Sequence, residues 1–324
     1  MRLRRSDCGS RGVRRLRRGR GFTYLDHEGN PVDAETLERI RGLVIPPAWR
    51  DVWICPYPNG HIQAVGFDDA GRKQYLYHTE WRKRRDAEKH DRVLELAERL
   101  PVVRKKIRDD LVSPGLTQQR VLAGALWILD RGVFRTGGEE YAEENDSHGV
   151  TTLLRGHVRL RGGELRFRFP AKSGVERVAV IRDPELARLV AALRRGRSDD
   201  ERLFVYRDGR GARHELTARD VNERFKELAG DRFTVKDMRT WTATVLAAAE
   251  FAGQDPATSK RAHKRAEAAV MRAVAEQLGN TPAVARRSYV DPRVIDQYAD
   301  GHTIDPPSGK REDIEQAVLR LLRE

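Results

Sequence analysis

The hydrophobic period of this chain changes once, near residue 80, and the change divides it into two dissimilar parts. Before it, short apolar stretches of strand length alternate with turn residues. Residues 22–25, 51–55, 61–66 and 73–78 read as strands, with turns at 27–30, 58–60 and 68–71. One helix is expected over 34–43, with Asp33 as its N-cap and Ile45-Pro46-Pro47 ending it. After residue 80 the apolar spacing approaches 3.6 residues. Helices are expected over 81–100 and 102–111, broken apart by Pro101, then over 118–133, 184–194, 217–228, 236–251, 260–278 and 311–322. Val121, Leu122, Ala125, Leu126, Ile128 and Leu129 make a stripe on the 118–133 helix that reads as core packing. Residues 151–154, 157–160 and 164–169 alternate like short strands. The expected fold class is therefore α+β. A small, mainly β N-terminal domain spans 22–86, and a larger, mostly α-helical domain with a small inserted sheet spans 87–324. No internal repeat is visible.

Residues 1–21 read as a basic, flexible arm. They are polar, glycine-punctuated and self-repelling, and suited to extra phosphate contacts. They lack the apolar core of a secretory signal, although a mitochondrial presequence would also be rich in arginine. The formal net charge of +13 over 324 residues argues for a polyanionic partner, nucleic acid above all. An anionic membrane surface fits less well, because no long basic amphipathic helix is present. Cys8 and Cys55 belong to no metal-ligand spacing and make no disulfide framework, which fits a reducing, cytoplasmic compartment. No stretch approaches the ~18 apolar residues of a membrane span.

Five short motifs hold residues suited to phosphodiester chemistry. Arg135 lies in FRTG (134–137), with YAEENDSHG (141–149) behind it, headed by Tyr141. Lys172 lies in FPAKSG (169–174), a turn between strand-like segments. Arg239 lies in KDMRTW (236–241), headed by Lys236; Asn280 lies in GNTP (279–282); Tyr289 lies in RRSYVDP (286–292). Each has an ordinary reading when taken alone: a helix cap, a solvated turn lysine, an ion-paired helix start, a structural or surface tyrosine. As a set they meet a specific need. A phosphodiester repels nucleophiles and has a poor alkoxide leaving group. Two arginines hold the non-bridging oxygens with permanently charged, bidentate donors. Loss of one such donor costs about 3 kcal/mol of transition-state stabilisation. A lysine can protonate the leaving oxygen if nearby guanidinium charges lower its pKa from ~10.4. A tyrosine, with a reference pKa of ~10, also needs a cationic site to become a good nucleophile.

The order and spacing of these motifs resemble the type IB DNA topoisomerases, specifically the small poxvirus-like bacterial group. IPPAW (45–49), NGHIQA (59–64) and GRKQYLYH (71–78) also look like that family, so the resemblance covers about residues 22–298. It implies that Tyr289 attacks phosphorus to form a 3′-phosphotyrosyl bond. Lys172 protonates the departing 5′-oxygen, Arg135 and Arg239 stabilise the transition state, and Asn280 hydrogen-bonds a non-bridging oxygen. Rotation and resealing then relax supercoils of both signs. The implied partner is supercoiled duplex DNA, clamped by a monomer in the cytoplasm, at the nucleoid. The resemblance further implies DNA contacts by Gln74, Tyr75, Tyr77, Tyr141 and Lys236. No cofactor and no metal are expected: the bond energy stays in the phosphotyrosine, no G-x-x-x-x-G-K-[ST] loop is present, and no Asp/Glu/His cluster suggests Mg²⁺ ligands.

Two departures from the family pattern matter. Viral and eukaryotic relatives use histidine where this chain has Asn280, which donates a hydrogen bond but exchanges no proton. Residues 137–140 (GGEE) lack the basic residues of the poxvirus enzymes, which weakens any expectation of their pyrimidine-site specificity. The nearest rival is a tyrosine recombinase, whose second arginine usually sits in H-x-x-R; here Lys236 to Arg239 make K-x-x-R. A non-catalytic basic DNA-binding protein satisfies the composition but leaves the five-residue set without a purpose.

Overall fold

The structure, a computed structural model, describes residues 2–131, 134–138, 147–171, 174–196, 198–255, 259–305 and 309–323. It divides into two compact units, Met1–Lys89 and His90–Glu324. The mixture of a β-rich unit and a largely helical one is the expected α+β class.

The N-terminal unit is built on an antiparallel five-stranded sheet. Its strands are β1 (Val13–Arg18), β2 (Gly21–Leu25), β3 (Arg50–Ile54), β4 (Ile62–Phe67) and β5 (Lys73–Tyr77), in the spatial order β2-β1-β3-β4-β5. Val13, Val52, Ile54 and Ala64 bury one face together with Ile40 of helix α1 (Ala34–Gly42). Asp33 caps α1 by accepting from Thr36 N–H at 2.6 Å.

The expectation of a flexible arm over residues 1–21 is corrected here. Residues Val13–Arg18 form β1, paired on both edges. The arginine-rich composition hid an alternation. Val13 and Arg15 turn inward, while Arg14, Leu16 and Arg18 turn outward, so consecutive charges lie on opposite faces. Buried Arg15 donates to Pro46 O at 3.1 Å and Trp49 O at 2.6 Å, and its guanidinium lies 4.2 Å from the Phe22 ring centroid. The chain before β1 is tied down as well. Arg4 N–H reaches Asn59 O and His61 N–H reaches Arg4 O, both at 2.9 Å.

The chain passes into the C-terminal unit within one helix, α2 (Thr79–Leu111). Pro101 lies inside this helix and does not break it, contrary to expectation. The ring faces solvent, while Leu96, Leu100, Val103, Ile107 and Leu111 bury a continuous stripe that offsets the missing backbone bond. Next come α3 (Gln118–Leu129) and a three-stranded sheet, β6 (Val158–Arg161), β7 (Glu164–Pro170) and β8 (Glu176–Arg182). Helix α4 (Pro184–Arg194) precedes a small hairpin, β9 (Val205–Arg207) and β10 (Arg213–Glu215). The remainder is helical: α5 (Ala218–Ala229), α6 (Val235–Ala252), α7 (Lys260–Leu278), α8 (Pro282–Ser288), α9 (Pro292–Ala299) and α10 (Arg311–Leu321). One continuous core joins these elements around Trp241, Phe134, Phe167, Phe204 and Phe225.

The expected strand at 151–154 is also corrected. Val150–Thr152 and Arg155–His157 are single 3₁₀ turns. Val150 N–H donates to Arg135 O and Thr151 N–H to Thr136 O, both at 2.8 Å. These two bonds hold the Arg135 segment, while Leu154 keeps a single antiparallel bridge to Arg202. Among the described residues, no helix is long and apolar enough to cross a membrane.

Candidate active site

Arg135, Arg239, Asn280 and Tyr289 come together in the C-terminal unit. Arg135, Asn280 and Tyr289 line a cavity of about 590 Å³ with His148 and Arg177. Arg135 and Tyr289 also line an adjoining cavity of about 160 Å³ with Arg239, Lys236 and Thr136.

Tyr289 sits at the junction of two short helices, each opened by a proline in its first turn. Its N–H ends α8 by donating to Ala285 O at 3.1 Å, and Val290 N–H donates to the same carbonyl at 2.9 Å. Asp291 then caps α9, accepting from Arg293 N–H at 3.0 Å. From α6, Thr244 Oγ1 accepts from Asp291 N–H at 3.1 Å. The backbone on both sides of Tyr289 is therefore fixed, while the half-buried ring faces both cavities.

Asn280 follows a left-handed turn. Gly279 ends α7 at φ 62°, ψ 50°, and Asn280 N–H returns to Ala275 O at 2.9 Å. A side chain at 279 would meet both the φ penalty and the Arg177 guanidinium, whose Nε lies 3.1 Å from a Cβ placed there. Asn280 Oδ1 accepts from Arg135 Nη2. Because arginine only donates, this bond fixes the amide's orientation and leaves Nδ2 as a donor. Among the described residues, that buried Nδ2 has no hydrogen-bond partner.

Arg135 also donates to Gly279 O at 2.8 Å. Behind it, Phe134 is anchored against the rings of Phe167 and Phe169. Arg239, only 5% exposed, donates to Phe134 O at 3.0 Å and to Leu278 O. Its guanidinium carbon lies 5.4 Å from the Tyr289 ring centroid and the two side chains are hydrogen-bonded. The start of α6 is held by Asp237. Its carboxylate accepts from Thr234 N–H at 2.9 Å and from Arg92 Nη2 of α2 at 2.8 Å.

The charges here are packed against their own preference. Burial, then the Arg135 charge, pushes Arg239 down to about 10, with Tyr289 opposing the shift. Burial also lowers Arg135, again opposed by Tyr289. Arg177 of β8 is lowered by burial and by Arg135. Three guanidinium groups crowded in this way are suited to holding an anion.

Arg177 and His148 escaped the sequence reading. Arg177 donates to Glu276 O at 2.6 Å and to Gln277 O, capping α7 immediately before Gly279. His148 Nδ1 bonds Thr152 O at 2.6 Å, and its backbone N–H reaches Pro170 O at 2.9 Å. His148 stands inside the YAEENDSHG motif, so a signal existed; Arg177 lies just beyond AKSG and had none.

Lys172 and Tyr141 lie outside the described residues. Ala171 and Val175, which bracket position 172 in sequence, both line the larger cavity, and Ala171 N–H donates to Val175 O at 2.9 Å. Tyr75 and Tyr77 belong to the N-terminal unit. Their exposed rings stack 6.0 Å apart, and Lys73 Nζ lies 5.6 Å from the Tyr75 ring centroid. Gln74, on the opposite face of β5, instead donates to Asp68 Oδ2 at 3.0 Å. No group of three or more potential metal-ligating His, Cys, Asp or Glu occurs among the described residues.

Residues 78–305 match the family described as the catalytic core of eukaryotic DNA topoisomerase I. Residues 21–68 match the N-terminal domain of bacterial DNA topoisomerase IB. DNA topoisomerase 1B of Acanthamoeba polyphaga mimivirus is 31% identical over 295 residues, covering 89% of this chain and 87% of the relative. DNA topoisomerase 1B of vaccinia virus (strain Copenhagen) is 25% identical over 290 residues, 85% of this chain and 87% of the relative. DNA topoisomerase 1 beta of Arabidopsis thaliana is 25% identical over 162 residues, 49% of this chain and 16% of the relative. The chain belongs to the type IB DNA topoisomerase family of enzymes, with an N-terminal domain of the bacterial kind.

Proposed function

We propose that this enzyme relaxes positive and negative supercoils through a 3′-phosphotyrosyl intermediate on Tyr289, with neither ATP nor a metal ion. The observation that carries the reading is the convergence of Arg135, Arg239 and Asn280, whose Nδ2 has no partner among the described residues, on the half-buried Tyr289. In the forward step the Tyr289 hydroxyl gives its proton to water and its oxygen bonds to phosphorus. The P–O5′ bond breaks, and the departing oxygen takes a proton from Lys172. Arg135 and Arg239 neutralise the non-bridging oxygens, and the spare Asn280 N–H donates to one of them. These groups are already fixed by Gly279 O, Phe134 O and Leu278 O, so little reorganisation accompanies charge development. After rotation the 5′-hydroxyl returns its proton to Lys172 and attacks the phosphotyrosine, and Tyr289 leaves and regains a proton from water. One ester replaces another at each step, so no external energy source is required.

On this reading residues 87–324 break and rejoin DNA, and residues 22–86 contact the duplex as one side of a clamp. Lys236 and Tyr141 approach the DNA near the cleaved strand. The enzyme acts as a monomer in the cytoplasm, at the nucleoid. The test is plasmid relaxation in EDTA without ATP, starting from substrates of either sign. Wild type should relax both and Tyr289→Phe neither. Binding without any change of linking number by wild type would overturn the assignment; relaxation by Tyr289→Phe would remove Tyr289 from it.

A further inference from the structure

Cross-strand partners in an antiparallel sheet project from the same face. The register Arg14↔Trp53, Trp53↔Val65 and Val65↔Tyr75 therefore sets these side chains in one row across β1, β3, β4 and β5. Lys73 and Tyr77, two residues to either side of Tyr75, share that face, and so do Leu16 and Arg18 of β1. The opposite face holds Val13, Ile54, Ala64 and Leu76, packed with α1. On the row's side, Arg14 and Arg18 are exposed, and Leu16, Tyr75 and Tyr77 are 40%, 41% and 38% exposed, while Val65 in the middle is buried and Trp53 is half-buried, its Nε1 donating to Ser10 O at 3.0 Å.

The arginines of this segment are thus not equivalent. Arg15 is buried on three backbone carbonyls, those of Ile45, Pro46 and Trp49, and is structural. Arg17 is exposed but leaves β1 on the other face, opposite Phe22. Arg14 and Arg18 stand roughly 13 Å apart along the strand on the tyrosine face.

We propose that Arg14 and Arg18 of β1 and the Tyr75 and Tyr77 rings of β5 contact one duplex from the same face of the sheet, with Arg14 and Arg18 neutralising backbone phosphates. The inference rests on the proposed action on duplex DNA and deepens it. Charge complementarity selects the occupant. Exposed cations and exposed aromatic rings share one face of the sheet, at either end of this row, in a chain with net charge +13, which matches a polyanion with a regular phosphate backbone. A flexible arm would use every arginine alike; a strand uses only those on one face.

The test is the salt dependence of duplex binding by the full-length protein, comparing wild type, Arg14→Ala/Arg18→Ala, the bulkier Arg14→Gln/Arg18→Gln, and Arg17→Ala. Removing one arginine–phosphate pairing should reduce the slope of log K against log salt by about 0.9. Both double variants should therefore lose about 12-fold less affinity than wild type between 50 and 200 mM salt. Arg17→Ala should keep the wild-type slope. Unchanged slopes in the double variants, or an Arg17→Ala slope reduced by about 0.9, would overturn the proposal. Relaxation by wild type in the same preparation separates that failure from failure of the functional reading.

Discussion

Arg135, Arg177 and Arg239 are each held below the ordinary guanidinium range, and burial is the first cause in all three. For a base, a lowered folded pKa means that the fold disfavours the charged form. The cost is present at every pH below the folded value, and so throughout the neutral range. An anion in the cavity reverses it. Arg135→Gln should therefore slow single-turnover cleavage by roughly 10²–10³-fold, in line with loss of one oxyanion donor. Its Tm without DNA should equal or exceed that of wild type. A clear fall in Tm would show Arg135 to be a structural cation instead. The four residues that the structure brings together, Arg135, Arg239, Asn280 and Tyr289, each stand in a distinctive motif. Arg177 was not legible, because its role depends on β8 running beside the end of α7, a tertiary fact with no local signature. Nor could Asn280 be told from an ordinary cap until its Oδ1 was seen to accept from Arg135.

At the scale of elements, α2, α3 and α10 meet at a buried ion network. Arg104 donates to Asp130 Oδ2 at 3.0 Å and to Glu315 Oε2 at 2.6 Å, and Arg311 reaches Asp130 Oδ2 at 2.8 Å. Burial pushes the Asp130 pKa up, but the Arg311 and Arg104 charges outweigh it and the net shift is downward. A depressed carboxylate pKa contributes stability that is present above the unfolded value, ~3.9, and is lost as the pH falls through the folded value. Denaturant unfolding of wild type should therefore weaken below about pH 4. Asp130→Asn should be less stable at pH 7, by roughly 3–5 kcal/mol, and should lose less in that acid window. Equal acid losses would place the acid-sensitive group elsewhere. Element boundaries followed the sequence where local rules rule, as in α1 with its Asp33 cap and in α7. They departed from it where tertiary contacts outvoted local ones. Pro101 is tolerated because α2 is buried on its other side. At the expected strand, Val150 and Thr151 give their N–H groups to Arg135 and Thr136, and Leu154 makes one bridge, to Arg202. β1 was obscured because its arginines read as repulsion when alternation had already separated them.

For the whole molecule, the change of period near residue 80 made the α+β class legible, and the chain matches a bacterial-type N-terminal domain over residues 21–68 and a topoisomerase I catalytic core over residues 78–305. Net charge named the class of partner but not the surface that meets it, since exposed arginines are spread over the whole chain. The central claim is a covalent bond between Tyr289 and a DNA 3′-phosphate, and the most direct test is to trap it. A nicked or partially single-stranded duplex that loses its 5′-hydroxyl fragment after cleavage should leave labelled DNA attached to the protein in EDTA. Proteolysis and mass spectrometry should then locate the nucleotide on the peptide containing Tyr289. A label on any other residue, a 5′-phosphate linkage, or no adduct from a preparation that relaxes plasmid would contradict the account.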